Sequence, residues 1–213
     1  MYKILIVASL IFLQSCSQFT IRDRAIASRQ SNRNCLSWAS EFSLEYLTHP
    51  QSNQFKNAQD FIYFQDTLVK FKVDEPRLLE LGADPDHNNY ISMKSIQEAE
   101  SVLIAERREL IPGPIIRGPA EIDFYDDLGR PWDVKTPISP TEYEAWEFDI
   151  SQVSNSIVHQ LEATHENFET QIVEPVRILV DLRNTNSKHR LKVNAWIYGN
   201  LEPEEIARIR IIQ

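Results

Sequence analysis

The chain has 213 residues, a formal net charge of −9 and an apolar content of 42%. This composition excludes a disordered or fibrous protein and suits one domain of ordinary size with an N-terminal appendage. The acidity argues against attachment to nucleic acid through bulk charge, which needs a basic face, while leaving a local basic groove open.

Residues 1–16, MYKILIVASLIFLQSC, place one lysine before an apolar run from Ile4 to Leu13. The run is short for a bilayer span and reads as the core of a signal peptide. Leu13-Gln14-Ser15-Cys16 resembles a bacterial lipobox, which implies lipidation and a membrane anchor at Cys16. The expectation is an exported protein, lipid-anchored or secreted; a mis-assigned start would make it cytoplasmic. Residues 17–35 are polar and basic. Residues 1–35 carry a net +4, which leaves −13 for the remainder, so 17–35 reads as a tether. Cys16 and Cys35 are the two cysteines, too few for a disulfide framework or a zinc-ligand pattern.

Residues 36–82 read as a small helical region. Helical periodicity is expected over 36–50 and 57–73, and a short helix over 74–82 starts near Pro76 and stops at Gly82. Residues 83–90 form a polar loop. Its Asp-Pro-Asp-His-Asn-Asn run lacks the glycine and terminal glutamate of an EF-hand calcium loop. The clearest helix is 91–110, with Ser92 as a cap, Ser95 and Glu98 at capping-box spacing, and Ile96, Ala99, Leu103 and Leu110 in one stripe. IPGPIIRGP (111–119) breaks it. After an acidic hairpin at 118–137, a helix is expected over 149–168 and a buried strand over 175–184. Residues 191–200 suit a strand or the start of a helix, and a helix is expected over 203–212. This order implies an α/β or α+β fold, with a mixed central sheet and flanking helices over 83–213.

The hairpin concentrates chemistry. GPAEIDFYDDLGRPWDVKTP holds Glu121, Asp123, Asp126, Asp127 and Asp133, followed by Lys135. If Asp126 pairs with Arg130, the turn is Asp127-Leu128-Gly129, with glycine where a left-handed residue is wanted. That register sets Asp123 opposite Asp133, puts Lys135 on the same face as Asp133, and sends Trp132 and Val134 to the core. Two facing carboxylates repel unless a cation sits between them. Hard oxygen ligands suit Mg²⁺, and a nearby lysine stabilises charge building up on a phosphate.

The blocks ISMKSIQEAESVLIAE, IPGPIIRGP, AEIDFYDDLGRPWDVK and VRILVDLRN, in that order, resemble the PD-(D/E)XK nucleases. More narrowly, they resemble the nuclease toxin domain at the C-terminus of bacterial contact-dependent inhibition and other polymorphic toxins. The resemblance covers about residues 80–212. It implies that Asp123 is the strand acid, Asp133 and Lys135 the acid-x-lysine pair, and Glu98 the helical glutamate of the metal site. Glu121 is the substitute for Asp123, because the hairpin runs long before its glycine. The implied activity is a Mg²⁺-dependent endonuclease (Mn²⁺ or another divalent ion also suiting) that cuts DNA or tRNA in the cytoplasm of a target cell. The implied protein is a monomeric toxin or effector with a cognate immunity protein. Lys188, His189, Arg190 and Lys192 form the one dense basic cluster and are the candidates for holding a nucleic-acid backbone. The competing reading is a non-enzymatic acidic lipoprotein or immunity-like binding protein, which the net charge favours.

Overall fold

The computed structural model describes residues 50, 52–140 and 146–213. The expected signal peptide, lipobox, tether and first helix at 36–50 lie outside the described residues. Asn53–Gln213 form one unit. Helix α1 (Ala58–Phe71) starts at Asn57, whose side chain accepts from the amides of Gln59 and Asp60 at 2.9 and 3.0 Å. This satisfies two of the orphan donors of the first turn. Its inner face buries Phe61, Phe64 and Phe71, and Phe55 packs edge-on against the first two. Helix α2 (Glu75–Gly82) has Pro76 in its first turn and stops at the expected glycine. The loop expected over 83–90 contains a small antiparallel pair, β1 (Ala83–Asp84) and β2 (Tyr90–Ile91), around a 3₁₀ turn.

Helix α3 (Met93–Arg107) buries Ile96, Ala99 and Leu103 as expected, while Leu110 lies beyond its end. Its cap differs from expectation. Ser92 and Ser95 cap each other, with the Ser92 amide 2.9 Å from Ser95 Oγ and the Ser95 amide 3.2 Å from Ser92 Oγ. Ser95 is itself the N3 residue, so Glu98 has no role in the capping box.

The main sheet combines two antiparallel pairings with a parallel half. Its order is β3 (Ile116–Arg117), β4 (Phe124–Tyr125), β5 (Pro131–Lys135), β8 (Arg177–Asp181) and β9 (Ile209–Ile212), with β5, β8 and β9 parallel. Helices α4 (Ile150–Glu162) and α5 (Ser187–Asn200) cover it with Ile157, Leu161, Val193 and Ile197, packed on Ile178, Val180, Leu182 and Ile209. The protein is thus a mixed α/β fold with a mixed sheet and flanking helices. Among the described residues no helix is long and apolar enough to cross a membrane.

Two local expectations are corrected and one open alternative is decided. The segment 203–212 is a single turn, α6 (Pro203–Ile206), followed by a strand. The β-branched run Ile209, Ile211 and Ile212 adds to the open edge of β8 in register, Ile178 beside Ile209 and Val180 beside Ile211. The α4 helix ends at Glu162, earlier than 168, and an antiparallel hairpin of β6 (Thr164–Glu166) and β7 (Val173–Pro175) follows. Its turn is organised by buried Asn167, whose Oδ1 accepts from the amides of Glu169 and Thr170 at 2.9 and 3.0 Å. The residues around 191–200 are helical, because Asn186 caps α5 through the His189 amide and Val193 and Ile197 supply its buried stripe.

The acidic hairpin turns as expected. The Asp126 amide donates to the Arg130 carbonyl at 3.2 Å, the Gly129 amide to the Asp126 carbonyl at 2.8 Å, and Gly129 has φ +69°. Asp126 is buried as the hub of the turn. It accepts from the amides of Leu128 and Arg130, from Arg130 Nε at 2.7 Å and from Trp132 Nε1 at 2.9 Å. Trp132 is 2% exposed and Val134 6%, so both face inward. Trp132→Ala should cost about 3–5 kcal/mol as a large core deletion that also strips Asp126 of a donor. A urea-unfolding loss below about 1 kcal/mol would place the tryptophan outside the core.

Candidate functional site

Strand β5 presents Asp133 and Lys135 on alternate positions, with Val134 between them turned to the core. The Lys135 ammonium lies 2.6 Å from Asp133 Oδ2 as an ion pair, and among the described residues nothing else meets this buried oxygen. Asp123 stands just before β4. The ladder runs Phe124 to Trp132 and Tyr125 to Pro131; at Asp123 the amide donates instead to the Trp132 carbonyl at 3.0 Å. Its carboxylate reaches across the strand, and Oδ2 accepts from the Val134 amide at 2.7 Å. The expected face-to-face carboxylate pair is therefore replaced by a carboxylate clamped onto the backbone between Asp133 and Lys135.

Glu98 approaches from α3. Its Oε1 is 3.1 Å from Lys94 Nζ, one turn earlier on the same helix, and its Oε2 is 3.9 Å from Arg117 Nη1. Arg117 on β3 also lies 3.8 Å from Asp123 Oδ1 and 3.8 Å from Asp84 Oδ1. The cluster thus holds the carboxylates Asp84, Glu98, Asp123 and Asp133 and the cations Lys94, Arg117 and Lys135. Glu121 stands apart: it is exposed, and its carboxylate is 3.7 Å from His165 Nε2, so it does not take the place of Asp123.

Burial raises the proton affinity of all three inner acids, and repulsion from Asp123 adds to it for Glu98 and Asp133. Glu98 is pushed up to about 7, by desolvation first and by Asp123 second. Asp133 is pushed up to about 6 by the same two causes. Asp123 is raised, mainly by desolvation, against the pull of the Val134 amide and of Arg117. Asp123 acts on both of the others and so lies electrostatically between them. Acids raised in the folded state bind more protons folded than unfolded between their usual and their raised values. Stability should then fall as pH rises from about 4 to 7. The total effect is on the order of 3 kcal/mol, since the titrations are coupled and do not add. Urea midpoints in EDTA at pH 5 and pH 8 check this; the midpoint at pH 5 should be higher, and a flat or rising profile would contradict it.

Among the described residues no three His, Cys, Asp or Glu side chains converge closely enough to hold a metal ion, and Arg117 occupies the space among Asp84, Glu98 and Asp123. The donor chemistry nonetheless fits a hard divalent cation on one side. Asp133 Oδ2 has no partner beyond its ion pair with Lys135, and Asp123 Oδ1 makes a long contact with Arg117 at 3.8 Å. Glu98 fits less well, because both its oxygens face basic side chains.

The basic cluster begins α5 and lies at the same end of the parallel strands as Lys135. Ser139, in the segment leaving Lys135, donates its amide to the Asn184 carbonyl at 3.1 Å, and its Oγ accepts from the Asn186 amide at 2.8 Å. Lys188 and Lys192 are exposed. His189 stacks flat on Phe148 at 4.2 Å, with Nδ1 2.8 Å from Ser139 Oγ, and Arg190 Nη2 donates to the Thr185 carbonyl at 3.0 Å. Desolvation, Lys192 and Lys188 hold the His189 imidazole below its usual range.

Sequence reasoning missed Asp84, Lys94 and Arg117. The spacing of Lys94 to Glu98 was a readable signal for an i,i+4 pair. Arg117 gave none, since it is the lone cation of a segment read as a helix breaker and as one block of the resemblance, with no role for the arginine. No protein-family model, no curated protein and no solved structure matches the chain.

Proposed function

We propose that the protein is a metal-dependent nuclease with a PD-(D/E)XK-like core, in which Asp123 and Asp133 hold a divalent cation and Lys135 faces the scissile phosphate. One observation carries the reading: the Asp123 carboxylate is anchored on the Val134 amide, the residue between Asp133 and Lys135, and a buried Asp133 oxygen is met only by the Lys135 ammonium. Keeping two partly desolvated carboxylates side by side costs stability, and structures retain such strain where a ligand uses it. A divalent cation bound there would polarise a phosphate oxygen and lower the pKa of water. Lys135 supplies a fixed positive charge for the charge that develops on the phosphate. Lys188 and Lys192, exposed at the same end of the sheet, suit the flanking backbone of a nucleic acid.

The test is incubation of the purified chain with plasmid DNA and with tRNA, in Mg²⁺ or Mn²⁺ and in EDTA. Cleavage that EDTA abolishes is the expected result. No cleavage of either substrate with any divalent ion would overturn the proposal. A second reading, a non-enzymatic partner-binding protein, draws on one feature. Leu128, Phe168, Ile172 and Val173 are all more than half exposed, and the Phe168 amide is tied to the Gly129 carbonyl at 2.8 Å. Large exposed apolar side chains held on a rigid frame suit a protein interface.

A further inference from the structure

Arg117 is the most unusual side chain of the cluster. It is 10% exposed, yet its Nε is buried without a partner, and its contacts with three carboxylates stop at 3.8–3.9 Å. Its guanidinium is held by the Leu81 carbonyl, 3.4 Å from Nη1, and by the Phe124 ring, 5.0 Å beneath it. An arginine keeps its charge at any working pH. Burying that charge is costly unless opposite charges surround it, and here three do. We infer that Arg117 is the resident cation of this cluster: it serves the Asp84–Glu98–Asp123 side permanently, so the site takes a single divalent ion, on Asp123 and Asp133, and Glu98 is not among its ligands.

The charges support this division. On the Glu98 side Lys94 and Arg117 face the carboxylates, and a second divalent ion there would stand within a few ångströms of a fixed guanidinium and an ammonium, with Coulomb repulsion from both. On the Asp133 side the close cation is Lys135, with Lys94 acting more weakly, and one buried oxygen has no partner beyond that ion pair. Arg117 also explains how the metal-free protein tolerates the cluster, because it stands next to Asp123, the acid that repels both of the others. The inference rests on the metal-dependent reading above and names the part of the site that the metal does not occupy.

The experiment is calorimetric titration of the full chain with Mn²⁺ and with Mg²⁺, without nucleic acid, together with thermal melting in EDTA. The wild type should bind one ion per chain. Glu98→Gln should leave its affinity within about twofold, whereas loss of a ligand or of its direct support costs about tenfold or more. Arg117→Met should melt lower in EDTA, gain more from added Mn²⁺ than the wild type, and admit a second, weaker ion; Arg117→Lys should restore single-ion binding. Two ions in the wild type, a tenfold loss in Glu98→Gln, or an Arg117→Met that melts and titrates like the wild type would each overturn the inference. If Arg117→Met does not fold, the wild-type stoichiometry and Glu98→Gln still decide. A wild type that binds no divalent ion sinks both this inference and the nuclease reading. Single-ion binding without cleavage sinks the nuclease reading alone.

Discussion

Lys135→Ala should lower the rate of phosphodiester cleavage by about 10² to 10³ while leaving metal binding in place at pH 8. The ammonium is 2.6 Å from Asp133 Oδ2, so its loss has two separable effects. It removes the charge proposed to face the phosphate, which lowers the rate. It also leaves Asp133 with Asp123 as a repulsive neighbour and one attractive partner fewer. That raises the proton affinity of Asp133 further and lowers the stability of the metal-free protein above the titration range. At pH 8 the acid is deprotonated and remains able to take up a cation; at pH 6 protons should compete, and affinity should fall more steeply than in the wild type. Single-turnover cleavage and Mn²⁺ calorimetry at both pH values check this. A variant that cleaves like the wild type would remove Lys135 from the chemistry, and one that loses metal binding at pH 8 would recast it as structural.

The parts of the fold legible in the sequence are those where a local rule acts alone. Gly129 needed a left-handed backbone, and that fixes the hairpin turn; the alternation Trp132, Asp133, Val134, Lys135 then follows from strand geometry. The stretch 175–184 reads as a buried strand because the branched apolar residues Val176, Ile178, Leu179 and Val180 fill its centre. Local rules failed where a distant partner decided the outcome. Pro203 signals a helix start, and one turn does form, but the edge of β8 captures the next residues as β9. Glu98 at the capping-box position looked local, yet Ser92 and Ser95 satisfy each other and Glu98 turns to Lys94 and Arg117. Half of the site was legible for the same reason: Asp123, Asp133 and Lys135 come from one hairpin. Arg117 joins them only because β3 pairs with β4 and brings a separate stretch of chain beside Asp123, and Asp84 meets Arg117 from β1.

Asp133→Asn should abolish metal binding and cleavage together while making the metal-free protein more stable at pH 7.5. The two signs have one cause. Asp133 is pushed up to about 6 by desolvation and by Asp123, so its ionised form is less favourable folded than unfolded. An asparagine keeps the shape and carries no charge, which removes that cost above pH 6. The gain should be about 1 to 3 kcal/mol, reduced by the lost attraction to Lys135. The same substitution should flatten the pH dependence of stability, leaving mainly the contribution of Glu98, whose own proton affinity should change little because desolvation and Asp123, not Asp133, raise it. For metal the effect is reversed. A neutral amide oxygen is a weaker ligand for a hard divalent ion than a carboxylate, and the site loses an oxygen whose one partner is Lys135. Lys135→Ala and Asp133→Asn thus share lost cleavage and differ in both other readouts: the first is less stable and binds metal, the second is more stable and does not. Melting in EDTA and Mn²⁺ titration at pH 7.5 to 8 separate them. If Asp133→Asn is instead less stable than the wild type, the Lys135 ion pair outweighs the desolvation of Asp133, and the acid pair is a structural element of the sheet, not a cation site.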